Sequence, residues 1–166
     1  NLTAHLCKLI ESQVMPDGWR IACGFGNGTK GIQDAQTQSL IGELEKSGVN
    51  ITKEDIIFVA KDATGQTVWL ENGNGSAGLK HILDGNGKSP GHAADFERAF
   101  GISRNQIPSF LNDVVSNGRI ISNELKRING RDGFERIYYY DGKHYVLTGI
   151  GTNGFIVTAY PIEYGG

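Results

Sequence analysis

The stretch KHILDGNGKSPGH, Lys80 to His92, sets two of the chain's four histidines on either side of a loop holding Gly85, Gly87 and Gly91. An imidazole changes charge near neutral pH, so two of them can divide one reaction, one ring accepting a proton while the other donates one. Glycine adopts backbone angles closed to other residues, which lets such a loop fold back and bring its ends together, or approach a ligand closely. Cleavage of RNA suits that division of labour: the 2′-hydroxyl loses a proton as it attacks phosphorus, and the 5′-oxygen gains one as it leaves. Ordinary packing accounts for the same residues too, with His81 hydrogen-bonded on a helix face and His92 capping the next helix. A metal ion is the third use of paired imidazoles. Here eleven positions separate them and the nearest acids, Asp84 and Asp95, are common at helix ends, so no metal and no other cofactor is expected.

A second set of polar groups interrupts the apolar run GFIVTAYP near the end of the chain. Thr158 and Tyr160 are two apart and share one face of a strand, with Ile156 expected on that face as well. There Tyr160 can stack on a base or sugar and Thr158 can hold a phosphate oxygen, although both residue types also simply favour strands. Tyr138 lies between Arg136 and Lys143, a mixture of aromatics and cations that suits an RNA surface and equally suits cross-strand pairing. Arg119, Lys126, Arg127 and Arg131 form a further basic cluster, the usual composition of a solvated sheet edge.

The elements that must position these groups follow from pattern. The 166 residues are 39% hydrophobic and 20% charged, a globular profile, and 24 glycines imply many turns. No apolar run approaches the roughly eighteen residues of a membrane span, and no secretory signal is visible. Residues 1–79 carry 6 basic against 9 acidic side chains and residues 80–166 carry 10 against 9, so total charge does not by itself point to nucleic acid. Cys7 and Cys23 fit one bridge or two thiols. Helical spacing marks Leu2–Met15 and DAQTQSLIGELEKSG, with the glycine-rich CGFGNGTKG as a connector between them. Asp62-Ala63-Thr64-Gly65 predicts a hairpin. Short helices are expected around Leu79, Ile82 and Leu83 and around Phe96 and Phe100. A longer one runs from Ile107 to Val115 with Ser103 as its cap. Beyond Arg119 four strand-like runs are separated by Asn129-Gly130, Asp141-Gly142 and Asn153-Gly154, the pairs that make tight hairpin turns. The expected fold is α+β: an N-terminal helical segment over residues 1–50, then a unit over 51–166 whose helices precede an antiparallel sheet.

KHILDGNGKSPGH followed by GFIVTAYP resembles the pattern of bacterial EndoU-type ribonucleases, a histidine, a glycine-rich loop, a second histidine and a terminal T-x-Y-P-like strand. The wider group is the Barnase/EndoU/Colicin/RelE fold, with a twisted antiparallel sheet. VWLENGN, AGLKHI and GTNGFIVTAYP also look like toxin domains of contact-dependent growth inhibition proteins, over about residues 55 to 162. The resemblance implies an antibacterial toxin, delivered from the producing cell's surface as part of a larger effector, that cleaves RNA, tRNA above all, in the target cytoplasm. A cognate immunity protein would neutralise it, and a host translation factor is a further possible partner. By that analogy His81 and His92 are the acid–base pair, while Thr158 and Tyr160 hold the nucleotide. EndoU enzymes also use a lysine after the second histidine; no lysine lies between Lys88 and Lys126, so that role falls to Lys80, Lys88 or a later base. Gly87, Gly91, Arg136, Tyr138 and Lys143 are the expected substrate contacts. The alternatives are a non-enzymatic binding module of a surface or phage protein and a metal-dependent nuclease using the same histidines.

Overall fold

Turn residues and helix caps set the order of elements. The computed structural model describes residues 35–128 and 130–163. The expected Leu2–Met15 helix, the CGFGNGTKG connector, Cys7, Cys23 and Asn129 lie outside the described residues. The chain divides into two compact units, Asn1–Asn50 and Ile51–Gly166. In the first, helix α1 (Ala35–Lys46) buries Leu40, Ile41 and Leu44 at the predicted spacing. Gly48, at φ 84°, ends it by turning the chain left-handed.

The second unit is α+β. Strands β1 (Ile56–Lys61) and β2 (Thr67–Glu71) form the predicted hairpin. Helices α2 (Leu79–Asp84), α3 (Ala93–Phe100) and α4 (Ile107–Asn117) follow. Ser103 opens the single 3₁₀ turn that leads into α4, its amide donating to Gln106 Oε1 at 2.8 Å. Strands β3 (Arg119–Ile128), β4 (Arg131–Tyr140), β5 (His144–Gly151) and β6 (Ile156–Ile162) form an antiparallel sheet in sequence order. Asp141 and Gly142 both sit at positive φ, 58° and 69°, as the tight turn between β4 and β5 requires. No helix among the described residues is long and apolar enough to cross a membrane.

One face of the sheet carries the core. Tyr138, Val146, Ile150, Ile156 and Ala159 are buried there with Phe58, Val68 and Leu70 of the hairpin, Ile82, Phe96, and Leu111, Val114 and Val115 of α4. Each fully buried aliphatic side chain of this kind contributes about 1.5–3 kcal/mol of transfer free energy. Because strand residues alternate, the groups between these core positions, among them Glu135, Leu147, Gly149 and Tyr160, project from the opposite face.

The core face is not wholly apolar. Asp62 begins the β1–β2 turn with a fully buried carboxylate. Its Oδ1 accepts from the Thr64 amide at 2.9 Å and the Thr64 hydroxyl at 2.5 Å. Its Oδ2 accepts from Arg136 Nη1 at 2.8 Å and Tyr138 Oη at 2.6 Å, so four donors fill the carboxylate. Arg136 further donates to Asn123 Oδ1 and Gln66 Oε1 and lies over the Phe134 ring. Burial, and then the hydrogen bond to Asp62, pushes the Tyr138 phenol far above its ordinary range, so it stays a donor. The expectation that Arg136 and Tyr138 contact substrate is therefore corrected: alternation turns both inward, where Asp62 occupies them. Asp62→Ala would leave a buried guanidinium without its anion, and is expected to destabilise the unit by about 3–5 kcal/mol, read as a lower urea midpoint with unchanged slope.

At the other end of the sheet His144 packs against Phe100 (4.3 Å between ring centroids) and Phe110, which in turn meets Tyr140 edge-on. Burial holds its pKa below the ordinary value of 6.5, with Lys143 adding and Asp141 opposing. The folded state thus keeps the ring neutral where the unfolded chain protonates it. Its stabilising contribution is complete above pH 6.5 and is lost as the pH falls towards the lower folded value. Urea midpoints measured from pH 7.5 to 5 should fall for the wild type, and His144→Phe should remove part of that slope.

Candidate active site

Strand β6 is an edge strand, and its register decides what it presents. Tyr160 pairs with Leu147 and Thr158 with Gly149, but the next pair is Ile156 with Ile150, so β6 carries one extra residue there. The bulge breaks the alternation. Thr158 and Tyr160 stay half-exposed on the outer face, while Ile156 is buried in the core. The expectation that Ile156 shares their face is corrected by this one inserted residue.

Thr158 and Tyr160 form one wall of a hollow of about 270 Å³ on the outer face, completed by Leu147 and Gly149 of β5, Glu135 of β4, and Lys126, Arg127 and Ile128 of β3. Gly149 is closely packed: a Cβ there would meet the Thr158 methyl at 3.2 Å and Ile128 Cδ1 at 3.4 Å, so these side chains would have to give by a few tenths of an ångström. Lys126 Nζ lies 2.9 Å from Glu135 Oε1 and 3.5 Å from Glu124 Oε2. The hydrogen bond to Glu135 raises the ammonium pKa, so the cation persists at neutral pH. Burial raises the Tyr160 phenol, with Glu135 adding and Lys126 opposing. The hollow thus offers a fixed cation, a carboxylate, a hydroxyl and a phenol that keeps its proton.

His92 reaches this wall from the other side of the glycine loop. It stands at the N-terminus of α3, its amide donating to Ile82 O at 2.6 Å. Its ring stacks on Tyr160, with centroids 4.7 Å apart and planes within 24°. Nδ1 lies 2.9 Å from Asp95 Oδ2. A carboxylate only accepts, so Nδ1 carries a hydrogen, and in the neutral ring Nε2 then keeps the lone pair, the arrangement in which an oriented imidazole exchanges protons. Asp95 also binds Arg98, and its pKa is lowered, first by the hydrogen bond from His92.

His81 is held differently. Nδ1 is 2.7 Å from Gly75 O, again leaving Nε2 as the acceptor, and the ring is half-buried on α2. The His92–Ile82 backbone bond sets the two histidine-bearing segments side by side, as a folded-back loop must. Of the two rings it is His92 that touches Tyr160.

The loop glycines serve packing. At Gly85 a Cβ would lie 1.9 Å from Ser89 O, and at Gly91 one would lie 2.2 Å from the Leu83 carbonyl. The amides of Gly85, Asn86, Lys88, Ser89 and His92 all donate within the loop or to α2. The side of Gly91 where a Cβ would stand abuts Leu83, and the residue is half-exposed outside the lining of the hollow. Lys80, Gly87, Lys88 and Lys143 are exposed, and none lines the hollow. Tyr139 and Tyr145, directly opposed on β4 and β5, stack at 4.5 Å, so that part of the tyrosine cluster is a cross-strand pair.

Sequence reasoning misses two acids and leaves one cation open: Asp95 reads as a helix-terminal acid, Lys126 is one of the later bases left open for the lysine role, and Glu135 carries no local signal. A register count from the predicted Asn129-Gly130 turn would have found the last two: pairing Ile128 with Arg131 sets Lys126 against Gly133 and Glu124 against Glu135, on one face. Among the described residues no group of three or more His, Cys, Asp or Glu side chains gathers as a metal-ligand set.

No protein-family model matches the chain, and no curated protein shows significant similarity to it. The local geometry is open to direct measurement. In a pH titration followed by carbon-13 NMR, the Asp95 carboxyl should titrate below 3.8, and His92→Ala should move it back towards that value.

Proposed function

We propose that the Ile51–Gly166 unit is an endoribonuclease of the EndoU-like kind, acting as an antibacterial toxin on RNA, tRNA foremost, and neutralised by an immunity protein. The observation that carries this reading is the His92 ring stacked on Tyr160, beside a hollow that also holds Thr158 and Lys126. A phosphodiester in that hollow would have its charge met by the Lys126 ammonium, with Thr158 and Tyr160 donating hydrogen bonds to it. The 2′-oxygen loses its proton to a base and bonds to phosphorus. The P–O5′ bond breaks, and the leaving oxygen takes a proton from an acid. The products are a 2′,3′-cyclic phosphate and a 5′-hydroxyl, with no redox change and no third reactant.

His92 performs one of the two proton transfers through Nε2, oriented by Asp95. His81 performs the other through its own Nε2. A second assignment for that step is favoured by one observation, the Glu135 carboxylate in the wall of the hollow. Among the bases left open for the electrostatic role, Lys80, Lys88 or a later one, it goes to the later Lys126.

Incubation with total bacterial RNA should give cyclic-phosphate ends, with and without EDTA. His92→Ala should lower the rate about 10²–10⁴-fold and Lys126→Ala about 10²–10³-fold, while each variant keeps the wild-type far-ultraviolet circular dichroism spectrum. His81→Ala and Glu135→Gln then assign the second proton transfer, the one that abolishes cleavage being the group that carries it. Full activity of His92→Ala, or loss of cleavage with EDTA, would remove this mechanism.

A further inference from the structure

A second hollow, of about 510 Å³, adjoins the first and shares Ile128 with it. Its size is that of a small-ligand site. It is bounded by Arg131 and Asp132 at the start of β4, Asn153 and Phe155 before β6, and Val157. Phe155 and Val157 precede Thr158 and Tyr160 on the same stretch of chain, so one segment lines both hollows.

The walls are fixed. Gln66 Nε2 donates to Thr152 O at 3.0 Å, the Trp69 amide donates to Gly154 O at 3.0 Å, and Phe155 packs on Trp69 with centroids 5.6 Å apart. Gly154, at φ 103°, approaches Thr67 so closely that a Cβ would lie 2.1 Å from its carbonyl oxygen. Asn153 Oδ1 accepts from the Phe155 amide at 3.1 Å, which pins the side-chain amide. The neighbouring cations are committed, Lys126 to Glu135 and Arg127 to Asp132. Arg131, by contrast, is exposed and has no hydrogen-bond or ion-pair partner among the described residues.

An aromatic ring, a pinned amide and a guanidinium without a partner among the described residues, around one cavity, are what an unpaired nucleotide uses, for stacking, base-edge hydrogen bonds and phosphate contact. We infer that this second hollow seats the nucleotide flanking the scissile phosphate, so that the substrate is a single-stranded segment engaged over more than one residue. The inference rests on the ribonuclease reading for the identity of its neighbour.

The test is fluorescence anisotropy on the intact chain with fluorescein-labelled 2′-deoxy mononucleotides and trinucleotides, which lack the attacking hydroxyl and are not cut. The trinucleotide should bind about tenfold more tightly than the mononucleotide. Arg131→Ala should erase that gain and leave mononucleotide binding unchanged, while Lys143→Ala, which removes an equal charge elsewhere, should preserve it. Equal affinities for the two probes, a gain that survives Arg131→Ala, or an equal loss in Lys143→Ala would overturn the flanking site. If the wild type leaves RNA uncut yet shows the Arg131-dependent gain, the ribonuclease reading fails and the binding site stands. Cleavage without the gain fails the site alone.

Discussion

A single buried carboxylate holds the working unit together. Asp62 closes the β1–β2 turn through Thr64 and, with its other oxygen, binds Arg136 and Tyr138 of the central strand β4. Removing a carboxylate and a guanidinium from water costs several kcal/mol each, so the pair is tolerable only because its hydrogen-bonding positions are filled. Asn123 and Gln66 take further guanidinium hydrogens, and Thr148 reaches the Arg136 carbonyl at 2.8 Å. An apolar set of similar volume would pack as well but would not select one register. The polar network does, because shifting β4 by one residue would bury Glu135 beside Asp62 and expose Arg136.

That selection is how the core communicates with the outer face. Glu135 and Arg136 are neighbours on a strand, as are Leu147, Thr148 and Gly149, and alternation sends them to opposite sides. Fixing Arg136 and Thr148 in the network therefore fixes Glu135, Leu147 and Gly149 in the hollow. Lys126 is held in turn by Glu135. The β6 wall is set by different means, through its bulge and through the Tyr160–His92 stack, which ties the sheet to the loop leading into α3. The site thus draws on two supports, one polar and internal, the other aromatic and at the edge.

Much of this was legible in the sequence because local chemistry decides it. Asp141-Gly142 needs positive φ and makes the turn it suggests; the β1–β2 hairpin, α1 and the segments from Leu79 to Val115 follow turn and periodicity signals; and Thr158 and Tyr160 share a face as a period of two requires. What was not legible depends on counting across strands or on a defect. No local signal marks the extra residue in β6 that sends Ile156 inward. The inward turn of Arg136 and Tyr138 follows from strand parity, but a buried arginine becomes plausible only when a partner is known, and Asp62 is 74 positions away. Composition pulled the other way, since arginine among tyrosines is also the signature of an RNA-facing surface.

The glycine loop shows the same contrast between composition and placement. Glycines beside histidines suggest a cradle of amides around an anion, yet Asn86 and the end of α2 take most of those amides, and Gly85 and Gly91 are required by backbone contacts too close for any Cβ. Tight closure still has a chemical consequence. It brings the His92 backbone against Ile82 and starts α3 so that Asp95, three residues on, falls within reach of Nδ1. Orientation of one imidazole by a carboxylate on the following helical turn needs His92 fixed at the helix start, and the helix start is fixed by the loop. The loop's contribution is positional: it delivers an oriented ring to the edge of the hollow, whose cation is Lys126, an ammonium held by Glu135 on the sheet itself.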